Sequence, residues 1–429
     1  MGSRSRCAEG AVKAGRGYPT QPAPAGGYSS WVRDTSVGVY VHVPFCERVC
    51  PYCDFPVVAA RRLEPEREEQ YVDALLFELE RRRADFGGLR LESVYLGGGT
   101  PALLQVESVS KLVVAVRAAF TGRPAEVTLE VNPSTVERAR LPGFRAAGVD
   151  RLSIGIQSFD DAVLKRLGRA HRAEAGRATL AAAREAGFDN VSLDLIVAVP
   201  DQSQAQVEAD LGETLRFGPE HVSAYALTVE PGTPYARGVE RGVLRLPSEE
   251  AGVRMLETLP RRLAGAGLEP YEISSYARPG FESQHNRRYW ERAPVLGLGM
   301  GAWSIEPRSP GAPHGARRRN LRSLAAYLER AAAGGEAREG ETEILEPATA
   351  RGEAAFLALR TRRGLDAARF AEEFGAPPRR FFAAAIARAA GAGLLEEGPG
   401  GDLRLTARGR LVSDSVFEAF VEASGRPSD

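Results

Sequence analysis

Short apolar, β-branched runs alternate with helical periods along most of this 429-residue chain, and few folds accept that order. The runs cover residues 37–43, 93–96, 126–131, 151–156, 191–199 and 222–227. Between the first two, Tyr71, Val72, Leu75, Leu76 and Leu79 make one helical face, with Pro65 suited to the first turn. After the second, Val106, Val109, Leu112, Val113, Val116 and Phe120 make another. Six strands each followed by a helix predict an α/β fold with a parallel sheet, wound right-handed, whose functional groups gather at the carboxyl ends of the strands.

One loop in this pattern is chemically unusual. Cys46, Cys50 and Cys53 follow the first run with the spacing C-x3-C-x2-C, and the whole chain has only four cysteines. Three thiolates leave one iron of a 4Fe-4S cluster without a protein ligand, and a free coordination position is what substrate-binding metal sites keep. The alternative is a zinc site with His42, on the preceding strand, as fourth ligand. Unrelated buried thiols would not be expected to gather within eight residues. Cys7 falls in residues 1–35, a Gly-, Pro-, Ser- and Arg-rich stretch with no hydrophobic period, which reads as a disordered extension and a poor source of a fourth ligand.

With Tyr52 just before the last cysteine, the loop resembles the signature of radical S-adenosylmethionine (SAM) proteins. The resemblance implies that the amino and carboxylate groups of SAM ligate the open iron, and that an electron from the cluster cleaves SAM to a 5′-deoxyadenosyl radical. Tyr-x-His-x-Pro-Phe-Cys at 40–46 and Cys-Asp-Phe at 53–55 resemble the branch that holds oxygen-independent coproporphyrinogen III oxidases and the HemW-type haem chaperones. That branch implies a radical-SAM partial (β/α)6 barrel with a small winged-helix-like carboxyl-terminal domain.

The resemblance also implies a SAM pocket. Tyr40 precedes the cysteines on the first strand, and Tyr52 lies between the second and third. Gly97-Gly98-Gly99-Thr100-Pro101 ends the second strand, where glycines let backbone approach a ligand closely, and Gly98, Gly99 and Thr100 match the motif that holds the SAM amino group. Glu130, at the end of the third strand, is placed to accept from an amine or a ribose. Gln157 and Arg169 match positions that contact SAM in the oxidase branch, Arg169 through a planar fork to a carboxylate. Asp194 lies within an apolar strand, where an unpaired carboxylate is costly, so it either faces the ligand or is hydrogen-bonded; the first is preferred. One departure follows: relatives carry a bulky residue, Gly and then Leu-Pro, where this chain has Val197-Ala198-Val199-Pro200.

Further on, Gln284-His285-Asn286-Arg287-Arg288-Tyr289-Trp290 resembles the H-N-x-x-Y-W pattern of the haem-chaperone branch. His285 offers an imidazole that suits iron, Tyr289 and Trp290 offer aromatic planes, Asn286 completes the motif, and the two arginines offer partners for propionates. The alternative is that His285 and Asn286 brace a loop while the aromatics pack in the core. Phe55 separates the two functions, since the oxidase branch has a further cysteine two places beyond the third ligand. Many chaperone-like chains have His where Trp303 stands in Gly297-Leu-Gly-Met-Gly-Ala-Trp-Ser304.

The expected organisation is an extension over 1–35, a radical-SAM barrel over 36–235, an elaboration carrying the H-N-x-x-Y-W motif over 236–345, with 306–319 as a loop, and a winged-helix-like domain over 346–429. The resemblance implies a 4Fe-4S cluster, SAM and haem as cofactors, and as partners a haem-accepting protein and an electron donor such as a ferredoxin or flavodoxin. The alternative function is an oxidase of coproporphyrinogen III, or another radical SAM reaction such as methyl transfer on a porphyrin. With 56 basic and 56 acidic residues, nucleic acid is not an expected partner. No transmembrane run or secretory leader is apparent, and so few cysteines fit a reducing cytoplasm.

Overall fold

The computed structural model describes residues 34–424. The extension expected over 1–35, with Cys7, lies outside the described residues apart from its last two positions. Strand β1 (Ser36–Val43) is followed by a two-residue pair, β2 (Phe45–Cys46) and β3 (Val58–Ala59), that closes the base of the cysteine loop. Then come β4 (Arg90–Gly98), β5 (Glu126–Val131), β6 (Arg151–Gln157), β7 (Asn190–Val197) and β8 (His221–Ala226). These pair in parallel in the order β1-β4-β5-β6-β7-β8, each neighbour joined through a helix, as the alternation predicts.

Side-chain parity divides the sheet into two unlike faces. Val37, Val39, Val41 and Val43 of β1 are fully buried in one large apolar core with Leu96, Leu129, Ile154 and Leu193 of its neighbours. The helix Pro65–Arg82 covers part of that face with Tyr71, Val72, Leu75 and Leu79, and burying Val72, Leu75 and Leu79 contributes about 1.5–3 kcal/mol each. The opposite face carries Tyr40, His42, Ser93, Tyr95, Glu130, Ser153, Asp194, Ser192 and His221; Tyr40 bonds His42 within β1, while Tyr95–Glu130, Ser153–Asp194 and Ser192–His221 join adjacent strands. Polar side chains inside the barrel thus find their partners on adjacent strands rather than in water.

The sheet is wider than six strands. On one side β10 (Ser275–Ala277) runs antiparallel to β8 and pairs with β9 (Glu269–Pro270). On the other, β11 (Val295–Leu298) lies parallel to β1, and β12 (Trp303–Glu306), β13 (Ala316–Arg319) and β14 (Glu343–Ile344) follow antiparallel. The end of the stretch expected to be loop over 306–319 is therefore strand, and its arginines explain why it does not read as one. Arg317 pairs with Glu343 and Glu353, Arg318 with Glu336 and Arg319 with Glu339, so each charge is met by a residue distant in sequence.

Residues from Pro347 build a separate apolar core from Leu359, Phe370, Phe382, Ile386, Phe417 and Phe420. Helices Pro347–Leu359, Ala367–Phe374 and Pro378–Gly391 precede an antiparallel hairpin of β15 (Leu395–Glu397) and β16 (Leu403–Leu405), a winged-helix-like arrangement. Thr406 caps the next helix, its Oγ1 accepting from Gly409 N at 2.9 Å.

Candidate cluster and cofactor site

The three cysteines hang from the carboxyl end of β1. Pairing of Phe45–Cys46 with Val58–Ala59 pins the loop's two ends, and Cys53 N donates to Cys50 O at 3.1 Å to turn it. All three are free thiols and half-buried. Burial pushes Cys46 up to about 11, and the neighbouring thiols Cys53 and Cys50 push the same way. Thiols so gathered need a cation to hold them as thiolates. Among the described residues no three His, Cys, Asp or Glu side chains converge on a single ion. His42 is engaged elsewhere, its Nε2 with Pro56 O at 2.9 Å and its Nδ1 with the Tyr40 hydroxyl at 3.1 Å. With both ring nitrogens engaged, His42 is not free as the fourth ligand of a zinc site, whereas a 4Fe-4S cluster with one open iron needs only the three thiolates.

A chain of hydrogen bonds links two of the thiols. Thr100 Oγ1 lies 3.9 Å from Cys46 Sγ as donor and accepts from Asn132 Nδ2 at 2.6 Å. Asn132 Oδ1 accepts from the Arg169 guanidinium, which also donates to Gly155 O at 3.1 Å and to Cys50 Sγ at 3.6 Å. Arg169 and Thr100, which the resemblance assigns to SAM, are therefore brought to the cysteines. Asn132 was not singled out, although it shares the inward parity of Glu130 on β5 and precedes a proline that ends the strand.

Gly98 and Gly99 are glycines for close approach. Gly98 has φ +110°, and a Cβ there would lie 2.5 Å from the His42 ring; one on Gly99 would lie 2.7 Å from Phe45 O. Gly98 N donates to Glu130 Oε2 at 3.0 Å and Gly99 N to Val43 O at 2.8 Å, so these N–H groups are occupied within the fold. An ammonium group needs acceptors, which the carbonyls of such a turn offer. Glu130 also accepts from the Tyr95 hydroxyl at 2.8 Å, and burial lifts its carboxyl to about 7. It braces the glycine turn as well as facing the interior.

Gln157 ends β6 in the left-handed region at φ +65°, a conformation that costs a non-glycine residue about 1–2 kcal/mol and is concentrated at functional sites. Asp194 accepts from Ser153 Oγ at 3.1 and 3.2 Å, with Ser223 and Ser192 lending further hydrogen bonds, so its buried carboxylate is satisfied by neighbouring strands. Tyr52 packs edge-on against Tyr235 at 6.0 Å and is hydrogen-bonded to Arg169, beside the thiols. Tyr40 lies deeper in the barrel, its ring 6.1 Å from Tyr95 and 6.2 Å from His285.

The H-N-x-x-Y-W residues form the helix Gln284–Trp290, capped by Ser283, at the opposite end of the barrel. Ser283 Oγ, Gln284 N and His285 N all donate to the carboxylate of Glu126, the first residue of β5. His285 is 1% exposed, with Nδ1 2.9 Å from Ser93 Oγ and Nε2 3.3 Å from the Tyr289 hydroxyl. Burial, with Arg288 and Arg151 nearby, pushes its imidazole down to about 3. Arg288, offered above as a partner for propionates, is buried and donates to Pro294 O and Ser36 O. Its fork is consumed in holding β1 to the approach of β11. Arg287 and Trp290 stay half-buried, and Asn286 N is taken by the Ser283 cap. Phe55, two residues past Cys53, is 63% exposed; Trp303 is 47% exposed, with Arg319 5.2 Å over its ring.

The family model of the Radical SAM superfamily matches residues 40–213, and that of the HemN C-terminal domain matches 345–412. "Heme chaperone HemW" of Bacillus subtilis (strain 168) is 32% identical over 384 residues, covering 89% of this chain and 98% of that protein. Its counterpart in Mycobacterium tuberculosis (strain H37Rv) is 38% identical over 392 residues, 90% of this chain and 94% of that one. The structure of coproporphyrinogen III oxidase (HemN) from Escherichia coli superposes with a TM-score of 0.77 at 24% identity over 92% of both chains, which shows the shared fold. Membership of the superfamily brings a 4Fe-4S cluster and SAM as cofactors. No helix among the described residues is long and apolar enough to cross a membrane. The chain belongs to the HemW family of radical SAM proteins.

Proposed function

We propose that this protein takes up haem and passes it to an acceptor protein in the cytoplasm, on a scaffold that holds a 4Fe-4S cluster through Cys46, Cys50 and Cys53. What carries the reading is the end-to-end similarity to chains named heme chaperone HemW, 98% of whose length is covered in the Bacillus subtilis case. Phe55 supports it, since an exposed phenyl ring stands where the oxidase pattern has a further cysteine.

Thr100, Asn132 and Arg169 set the environment of Cys46 and Cys50. Donors to sulfur stabilise thiolates, and groups that fix ligand orientation govern cluster retention. Tyr40, Tyr52, Gly98, Gly99, Thr100, Glu130, Gln157, Arg169 and Asp194 are assigned to the SAM pocket or its walls. When bound, the cluster supplies the electron that cleaves SAM, delivered to it by a ferredoxin or flavodoxin. Among the haem candidates, Trp290 and Tyr289 are half-buried, while His285 braces the barrel floor.

The test is an anaerobic titration of cluster-loaded protein with haem, followed at the Soret band. Saturation near one haem per chain is expected, and absence of saturable binding would sink the reading.

A further inference from the structure

The turn between the second and third cysteines is gripped by residues far from it in sequence. Cys53 N donates to Cys50 O at 3.1 Å, so residues 50–53 form a β-turn with Pro51 at its second position, where the fixed φ of proline suits the turn. Pro51 rests on Gly168, whose φ is +67° and where a Cβ would lie 2.5 Å from Pro51 Cδ.

A second hold comes from Tyr235, just beyond β8. Thr233 caps the helix Pro234–Glu240 by accepting from Ala236 N at 3.1 Å, which puts Tyr235 in its first turn. An N–H there has no partner within the helix, and that of Tyr235 donates to Pro51 O at 3.1 Å. The buried Tyr235 ring meets Tyr52 edge-on at 6.0 Å, and its hydroxyl donates to Arg166 O, three residues before the Arg169 that donates to Cys50 Sγ at 3.6 Å. Tyr52 also packs on a small apolar cluster of Val163, Leu167, Ile196 and Val199. The rest of the loop is held without Tyr235. The β2–β3 pair fixes its base, and Pro56 rests on Gly301, where a Cβ would lie 2.6 Å from Pro56 Cγ. Loss of Tyr235 therefore frees one turn and not the whole loop.

We infer that Tyr235 is a positioning residue for the 4Fe-4S cluster: through Pro51 and Tyr52 it fixes the Cys50–Cys53 turn, and so the direction in which those two thiolates meet their irons. The inference rests on the assignment of the cluster to Cys46, Cys50 and Cys53. Groups that orient metal ligands govern retention and electronic properties without touching the metal. This turn carries two of the three ligands. A loosened turn also draws Cys50 away from the Arg169 donor, and a sulfur that loses a donor is harder to charge further, so the cluster becomes harder to reduce.

The experiment is anaerobic reconstitution of the wild type, Tyr235→Phe and Tyr235→Leu, read by iron release to a chelator, by the EPR spectrum of the reduced cluster and by its midpoint potential, with urea unfolding of each. Tyr235→Leu is expected to release iron about ten-fold more readily, with an altered EPR signal and a more negative potential. Tyr235→Phe, which keeps the ring against Tyr52, should recover most of the wild-type behaviour. Gly168→Ala presses on Pro51 from its seat and should alter the same signal, which decides the matter if Tyr235→Leu does not fold. A lower urea midpoint in Tyr235→Leu with the wild-type EPR signal and potential makes Tyr235 a packing residue and overturns the inference, as does an unaltered signal in Gly168→Ala. A wild type that takes up no cluster overturns the cluster assignment and the inference with it.

Discussion

Asn132 donates to Thr100 Oγ1 at 2.6 Å through its amide nitrogen and accepts from Arg169 through its amide oxygen, so one side chain ties the donor to Cys46 to the donor to Cys50. Replacing it by Leu removes both links and leaves the buried guanidinium short of an acceptor. After anaerobic reconstitution, Asn132→Leu is expected to lose iron to a chelator about 10–100-fold more readily than the wild type. Asn132→Asp, which keeps the acceptor for Arg169, should fall between them. Iron per chain against chelator concentration reads this out, and identical curves for all three would contradict it.

Ala198, where the family resemblance leads one to expect glycine, has a φ of +60°. A β-carbon in the left-handed region is strained, which is why β7 stops at Val197 and not at the residue 199 that the apolar run suggests. Ala198→Gly is expected to stabilise the protein by about 1 kcal/mol, read as a higher urea midpoint. A lower midpoint would show that the strain is absent.

Asp210 accepts from Ser158 Oγ at 2.7 Å and Phe159 N at 2.6 Å, and burial lifts its carboxyl to about 6. The native state therefore holds this proton more tightly than the unfolded chain. The stability it contributes is complete below about pH 4 and is lost as pH rises through about 6, on the order of 2–3 kcal/mol. Asp210→Asn removes the titration, its amide oxygen still accepting from Phe159 N and its NH2 donating to Ser158 Oγ in place of accepting from it. Its advantage over the wild type in urea unfolding should grow between pH 4 and pH 7; a constant difference would rule the effect out.

His285 bridges Ser93 and Tyr289 in a dry site. His285→Ala should cost about 1–3 kcal/mol by leaving buried partners unmet, with the Soret maximum of the haem complex unmoved. Because burial depresses the imidazole to about 3, its contribution is complete above about pH 6.5 and is lost as pH falls toward 3. A shifted Soret band with unchanged stability would instead make His285 an iron ligand.

The six central strands were legible because each is buried on the helix side and spelled in Val, Ile and Leu. The arginine-rich β13 was not, because its partners Glu343, Glu353, Glu336 and Glu339 are supplied from elsewhere in the chain. The cysteine spacing announced the loop, while Arg169 and Thr100, read from the sequence as SAM contacts, are seen in the structure beside Cys50 and Cys46. Asn132 was missed because an amide beside a proline reads as turn chemistry until the fold brings Arg169 to it. His285 read equally as ligand or brace, since only tertiary structure shows that Ser93 and Tyr289 occupy both ring nitrogens.

The central claim is that haem is carried and released, not chemically altered. Haem-loaded, cluster-containing protein would be mixed anaerobically with an apo-haem acceptor, and each component followed by its Soret band after separation. The account predicts that haem leaves this protein and appears, intact, in the acceptor. Haem retained on the carrier, or SAM-dependent decarboxylation when coproporphyrinogen III is offered in its place, would contradict it.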